Sequence, residues 1–103
     1  MQISMSQMSN KPHKIGKLGD SDVYETVTKG GLVMIATGKG DGKISKVLGV
    51  GPHKAVARAV AQKREKDLQI TALTKSQQGD TLYTQQILPE YISLTARVNG
   101  LLG

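Results

Sequence analysis

The spacing of hydrophobic and polar residues changes near Gly51, in the middle of the chain. Before that point, residues 23–28 alternate in character, residues 32–37 are almost continuously apolar, and residues 44–50 are mainly apolar with polar Ser45 and Lys46 near their start. Alternation predicts a strand with one buried face, and a continuous apolar run predicts a more central strand. The glycine-rich residues 38–43 between the second and third strands predict a hairpin loop.

After Gly51 the sequence is typical of a helix. Residues 52–67 open with a proline, which suits the first helical turn, and continue mainly with Ala, Lys, Arg, Gln and Glu. Small residues share one side of this helix, while polar residues recur every four positions on another side: Lys54, Arg58, Gln62 and Lys66. We therefore expect a helix packed closely on the sheet, with Lys54 and Arg58 facing solvent.

The remaining residues predict one more strand and one more helix. Residues 68–74 alternate again, residues 76–80 form a polar loop, and residues 81–88 fit either a strand or a helix. A last helix is predicted to begin at Pro89 and to stop at Asn99-Gly100. The expected fold is α+β, with a small antiparallel sheet of three to four strands, one packed basic helix and a C-terminal helix.

Residues 1–22 are predicted to form a flexible N-terminal arm, followed by a single α+β domain over residues 23–103. The arm is rich in Ser, Gln, Lys and Gly, so that ordering it would bury little apolar surface. Met1, Ile3 and Met5 alternate with polar residues, and a short edge strand there is the alternative.

Positive charge is concentrated in the middle of the chain. Residues 38–66 contain eight Lys or Arg and two acidic residues, which accounts for the whole net charge of +6. Concentrated positive charge attracts polyanions, of which nucleic acid is the commonest. The alternative is an ordinary solvated basic face.

The junction between the third strand and the first helix, LGVGPHKAVARAVAQK, resembles the C-terminal part of a double-stranded RNA-binding domain. In that family the strand ends in a glycine-containing turn, and the N-terminal lysines of the following helix contact phosphates across a major groove. Four positions match the family's lysine, alanine, lysine and alanine: Lys54, Ala57, Arg58 and Ala61. Ala55 stands where the family has another lysine. The junction is also similar to the sheet-plus-helix modules that some recombinases use on duplex DNA.

A second resemblance covers VMIATGKGDGKISKVLGVGP, which is similar to the KOW motif of ribosomal and transcription-elongation proteins. The shared elements are the apolar strand, the GK…GK loop and the KVL…V…P ending. The sequence differs by the extra Thr37 and by Ser45, where the family has glycine. KOW modules continue into further strands, whereas residues 53–66 are predicted to be helical. Both resemblances imply contact with RNA through a basic surface.

The predicted nucleic-acid contacts come from the hairpin loop and from the helix: Lys39, Lys43, Lys54, Arg58 and Lys66. The chain has no Phe and no Trp, which disfavours recognition of single strands by stacking. Phosphate contacts to duplex RNA or DNA are therefore the favoured interaction.

The sequence offers no sign of catalysis. Its glycines match neither the GxxxxGKS/T phosphate loop nor the GxGxxG dinucleotide motif. Two histidines without cysteine disfavour a structural zinc site, and no nucleophile-and-base pair is evident. We expect a non-enzymatic protein with no catalytic residue, metal or cofactor.

A cytoplasmic, soluble protein without a membrane partner is expected. The chain lacks cysteine, begins without the pattern of a secretory signal, and has no apolar run of about 20 residues. The alternative function is a protein-interaction or assembly module, in particular a homodimer formed through the C-terminal helix. That alternative rests on the apolar residues near the C-terminus: Tyr91, Ile92, Leu94, Val98, Leu101 and Leu102.

Overall fold

The computed structural model describes residues 12–38 and 44–102, and it confirms the α+β class. Four strands come first: β1 (His13–Leu18), β2 (Ser21–Val27), β3 (Val33–Gly38) and β4 (Ile44–Gly51). The second half contains α1 (Lys54–Arg64), β5 (Gln69–Ile70), α2 (Lys75–Gln78) and α3 (Thr81–Leu102).

The strands form a five-stranded antiparallel sheet in the order β4-β3-β2-β1-β5. The first four strands are a meander in which each strand pairs with the next along the chain. The short β5 returns to the far side of β1, where Ile70 pairs with Gly16. This order leaves β4 at one edge of the sheet and β5 at the other.

The sheet has five strands instead of the predicted three to four. The additional strand is β1, which lies where the sequence predicted part of a flexible arm. The prediction for residues 1–22 is wrong for residues 13–22, which form β1, a turn at residues 19–20 and the start of β2. Ile15 and Leu18 of β1 pack against the main apolar cluster of the sheet. Partial burial of those two side chains favours a strand although the surrounding composition is polar. The prediction for residues 1–11, with its edge-strand alternative, lies outside the described residues.

Helix α1 packs closely on one face of the sheet, as its small residues predicted. Ala57 and Ala61 belong to the same buried cluster as Val23 and Ile35 of the sheet. Gly49 of β4 lies directly beneath the helix, where a Cβ atom would come within 2.5 Å of the Ala57 carbonyl oxygen. The absence of a side chain at this position therefore sets the distance between helix and sheet.

A β-bulge at Leu48 turns part of β4 toward the opposite face. Leu48 belongs to the cluster beneath α1, whereas Val47 and Val50 form a second cluster with Ala36. Residues three positions apart in a regular strand would face opposite sides of the sheet. The extra residue of the bulge places Val47 and Val50 on one face together.

Helix α3 is longer than predicted. It includes residues 81–88, passes through Pro89, and continues beyond the expected stop at Asn99-Gly100. The carboxylate of Asp80 accepts a hydrogen bond from the Tyr83 backbone N–H at 3.0 Å, which satisfies a donor of the first turn. Three apolar side chains further along α3 pack on the second cluster, and this packing stabilises the C-terminal half of the helix: Tyr91, Leu94 and Val98.

The C-terminal half of α3 covers the edge of the sheet formed by β4. The side-chain amide of Asn99 accepts a hydrogen bond from the Val47 N–H at 2.8 Å and donates one to the Val47 carbonyl at 2.5 Å. The Thr95 hydroxyl accepts a hydrogen bond from the Val50 N–H at 3.1 Å. These bonds occupy groups that an edge strand otherwise offers to another chain.

Two shorter elements also differ from the prediction. The strand expected over residues 68–74 is limited to Gln69–Ile70. Just beyond it, Thr71 donates two hydrogen bonds to the Ile15 carbonyl of β1, from its N–H at 2.9 Å and from its hydroxyl at 3.2 Å. The polar loop expected over residues 76–80 overlaps the helical turn α2, whose start is closed by a capping box between Thr74 and Gln77.

Candidate nucleic-acid interface

The structure does not bring the predicted contact residues into one site. Lys39 and Lys43 lie outside the described residues. Lys54 and Arg58 lie in the N-terminal half of α1, whereas Lys66 follows its C-terminal end. Because α1 has 11 residues, its two ends are about 15 Å apart.

Arg58 is buried, so the expectation that it faces solvent is wrong. Only 9% of the residue is exposed, and its Nε donates a hydrogen bond to Glu25 Oε2 at 2.8 Å. One Nη1 hydrogen is donated to the Thr71 carbonyl. The alternation of residues 23–27 had already placed Glu25 on the face of β2 that carries Val23 and Val27. A carboxylate on a buried face is stable only when a cation or hydrogen-bond donors compensate its charge. The position of Glu25 in the sequence therefore indicated a buried cationic partner.

Lys54 shares the same carboxylate. Its half-exposed side chain places Nζ 3.8 Å from Glu25 Oε1. The two cations at the start of α1 therefore oppose one buried negative charge, and one of the two lies inside the protein. The beginning of the helix offers less accessible positive charge than the sequence predicted.

The opposite end of α1 carries four cations close together, with Glu65 and the exposed Asp67 as the neighbouring acidic residues. The Nζ atom of Lys46, in β4, lies 2.5 Å from the Oε1 atom of Glu65. This ion pair joins the start of β4 to the C-terminal end of α1. Exposed Lys63 and Lys66 have no acidic partner among the described residues, and Arg64 has a buried Nη1 without a hydrogen-bond partner there. Cations also interact favourably with the carbonyl groups at a helix C-terminus. We call Lys46, Lys63, Arg64 and Lys66 the basic end.

The hairpin between β3 and β4 leaves the sheet beside the basic end. Gly38 pairs with Ile44, and Thr37 pairs with Lys46. The chain segment that carries Lys39 and Lys43 therefore begins and ends next to Lys46. Helix α1 runs back along β4, so its last turn returns to the same end of the sheet.

Three residues of the basic end were missing from the predicted contacts: Lys46, Lys63 and Arg64. The charge count over residues 38–66 included them, but it could not assign them to an end of the fold. Their proximity depends on the direction in which α1 returns across the sheet. That direction is fixed by packing between distant residues and leaves no local pattern in the sequence.

The part of the chain that the structure describes contains neither a metal-binding cluster nor a helix that could cross a membrane. Its His, Asp and Glu side chains form no group of three or more that could hold a metal ion. No helix over residues 12–38 or 44–102 combines the length and the apolar character needed to cross a bilayer.

A cavity of about 310 Å³ lies at the start of α1, and another of about 230 Å³ lies between α1 and the segment after β5.

Comparison with protein families, with curated proteins and with solved structures finds no match to this chain. The resemblances to the double-stranded RNA-binding domain and to the KOW motif therefore stay predictions.

Proposed function

We propose that the protein is a non-enzymatic nucleic-acid-binding domain that contacts the phosphates of duplex RNA or DNA. The observation that carries the proposal is the contact between Lys46 and Glu65. It places cations from β4 and from the end of α1 together, beside the hairpin segment that carries Lys39 and Lys43. Cations from separate elements on one surface can contact several phosphates of one duplex.

Accessibility decides which cations take part. Lys63 and Lys66 are exposed, and a phosphate would not have to displace an acidic partner among the described residues. Lys54 is half-exposed and stays a secondary contact, whereas buried Arg58 supports the fold. The proposed phosphate contacts therefore include Lys39, Lys43 and Lys66, as the sequence predicted. They also include the other residues of the basic end: Lys46, Lys63 and Arg64.

The proposal includes a cytoplasmic location and excludes base reading as the main interaction. A chain without cysteine suits a reducing compartment. Lysine presents a point charge to phosphate, and phosphate contacts do not depend directly on the base sequence. Affinity for duplexes of different sequence should therefore be similar.

Replacing both Lys63 and Lys66 by alanine is expected to weaken duplex binding. Loss of two phosphate contacts should reduce the slope of log affinity against log salt by about 1.8 on B-DNA. The measurement is fluorescence anisotropy with one DNA and one RNA duplex over a series of salt concentrations. Circular dichroism should show an unchanged fold, because both side chains are exposed.

The matched control removes two exposed lysines from the other end of the molecule. Lys29 lies in the turn before β3, and Val33 at the start of β3 pairs with Gly51, close to the start of α1. Lys75 begins α2, which contacts α1. Two further residues of α2, Ser76 and Gln77, line the cavity at the start of α1. Lys29→Ala with Lys75→Ala makes the same change in net charge. Equal loss of affinity in the two double variants would contradict a localised basic interface.

A homodimer through α3 is a second candidate, and exposed apolar surface favours it. Among the described residues, three of the four exposed large hydrophobic side chains lie on α3: Leu82 at 66%, Tyr83 at 48% and Leu101 at 85%. Leu94 and Val98 instead pack on the sheet of their own chain. The available dimer surface therefore differs from the one that the sequence suggested.

Sedimentation of the full chain is expected to show a dimer as the concentration rises toward ~100 µM, where a micromolar complex is mostly assembled. Leu82→Gln with Leu101→Gln should remain monomeric, because both changes remove apolar contact area. Ser93→Gln with Ala96→Gln, at exposed positions of the same helix, should leave the dimer intact. A full-length chain that stays monomeric throughout this range would rule out the homodimer.

A further inference from the structure

The cavity between α1 and the segment after β5 has the chemistry of a small binding site. It measures about 230 Å³, and one wall is a single face of α1 while the other follows β5. Both polar and apolar side chains line it: Arg58, Ala59, Gln62, Ile70, Leu73 and Gln78. None of its lining residues belongs to the basic end, although Gln62 directly precedes Lys63 in the chain.

Arg58 provides this cavity with an unused hydrogen-bond donor. A guanidinium has five N–H hydrogens, and here Nε bonds to Glu25 while Nη1 bonds to the Thr71 carbonyl. No described residue accepts a hydrogen bond from Nη2, and Nη2 is not among the enclosed polar atoms that lack a partner. Arg58 is nine-tenths buried and lines the cavity, so that Nη2 is the guanidinium nitrogen left to bind a molecule that enters there.

The charge around this edge favours an anion. Glu25 carries one negative charge, while Arg58 and Lys54 both lie within ion-pair distance of it. The three groups together therefore have a surplus of one positive charge. The bonds to Glu25 and Thr71 hold the planar guanidinium in place, and a fixed fork of this kind suits the two oxygens of a carboxylate.

The remaining walls limit the rest of the ligand. Ala59, Ile70 and Leu73 offer apolar surface, which suits an aliphatic group attached to the carboxylate. The volume lies below the usual range for drug-sized ligands. We propose that the cavity binds a small aliphatic carboxylate, either as a free acid or as the C-terminal carboxylate of a peptide. We call this site the carboxylate pocket.

Isovalerate, a branched aliphatic acid, is the first probe. Added to the full-length protein, it should produce saturable amide shifts at Ala59, Gln62 and Leu73, with a Kd of the order of 1 mM. The alcohol of the same carbon skeleton, 3-methylbutan-1-ol, should bind at least about tenfold more weakly, because it lacks the charge that Arg58 recognises. Equal binding of acid and alcohol, or no saturable shift with the acid, would overturn the proposal.

A peptide arm distinguishes the two sources of carboxylate. Gly-Gly-Val with a free C-terminus is compared with the same peptide carrying a C-terminal amide. Tighter binding of the free peptide than of isovalerate assigns a chain end as the ligand, whereas binding of isovalerate alone assigns a free acid. Both results retain the carboxylate pocket.

A cavity-filling substitution tests the position of the site. Ala59→Leu should weaken isovalerate binding at least about tenfold, because the larger side chain occupies the apolar part of the pocket. Ala96→Leu makes the same change at an exposed position of α3 and should leave binding unchanged. Undiminished binding by a folded Ala59→Leu protein would place the acid elsewhere and refute the site.

Discussion

Removal of the Glu25 carboxylate is expected to lower the free energy of unfolding by about 3 kcal/mol or more. Glu25→Ala leaves the Arg58 guanidinium inside the protein without its charged partner, which is 2.8 Å away in the intact chain. The desolvation of that charge is then no longer compensated. Denaturant unfolding followed by circular dichroism measures the change.

Two further variants identify the cause. Asp22→Ala removes a carboxylate that pairs with the exposed side chains of Lys14 and Lys17, and it should cost less than about 1 kcal/mol. Glu25→Leu combined with Arg58→Met removes both buried charges and should recover most of the stability. If Glu25→Ala costs no more than Asp22→Ala, the pair is not buried in solution.

Gly49→Ala is expected to destabilise the protein by about 3 kcal/mol, because the added methyl group meets the backbone of α1. The new Cβ would lie 2.5 Å from the Ala57 carbonyl oxygen and 2.7 Å from the Ala61 nitrogen. Backbone atoms in a packed helix cannot rotate away as the end of a flexible side chain can. For a domain of this size the melting temperature should fall by roughly 12 °C or more.

The control for this effect is Gly100→Ala in α3. No atom lies within 4 Å of the Cβ position there, and replacement of a helical glycine by alanine should raise stability by about 0.5–1 kcal/mol. The two glycines thus predict thermal shifts of opposite sign. A Gly49→Ala protein that melts with the wild type would mean that α1 lies farther from the sheet than the structure places it.

The parts of the fold that the sequence predicted are those with strong local patterns. β2, β3, β4 and α1 each have a clear alternation or a run of helix-forming residues, and their central residues were assigned correctly. β1 was missed because two inward side chains, Ile15 and Leu18, are separated by polar residues that dominate the composition. Its stability depends on pairing with β2 and on β5, which is far along the chain.

Helix α3 shows how one residue can mislead a prediction. Proline lacks a backbone N–H and usually marks a helix start, so Pro89 was taken as the first residue. The helix extends on both sides of it because α3 packs against both α1 and β4. Packing of this kind compensates for a missing hydrogen bond, and it involves partners that a local pattern does not reveal.

The sequence predicted which segment carries the positive charge of the candidate site, but not which of its cations are exposed. A spacing of four residues places Lys54, Arg58 and Lys66 along one side of an isolated helix, and all three then look equivalent. The difference comes from Glu25, 33 positions before Arg58, which draws one of these cations inside. Exposure was therefore decided by a long-range partner.

The covering of β4 by α3 has a consequence for the order in which the molecule assembles. Val47 and Asn99 are 52 positions apart, so the bonds between them close a long loop. In a chain synthesised from its N-terminus, the meander of β1 to β4 and the helix that follows emerge well before Asn99. During that interval the outward N–H and carbonyl groups of Val47 are open to a strand of a neighbouring chain. Crowding of nascent chains is therefore most hazardous to this protein just before its last helix is complete.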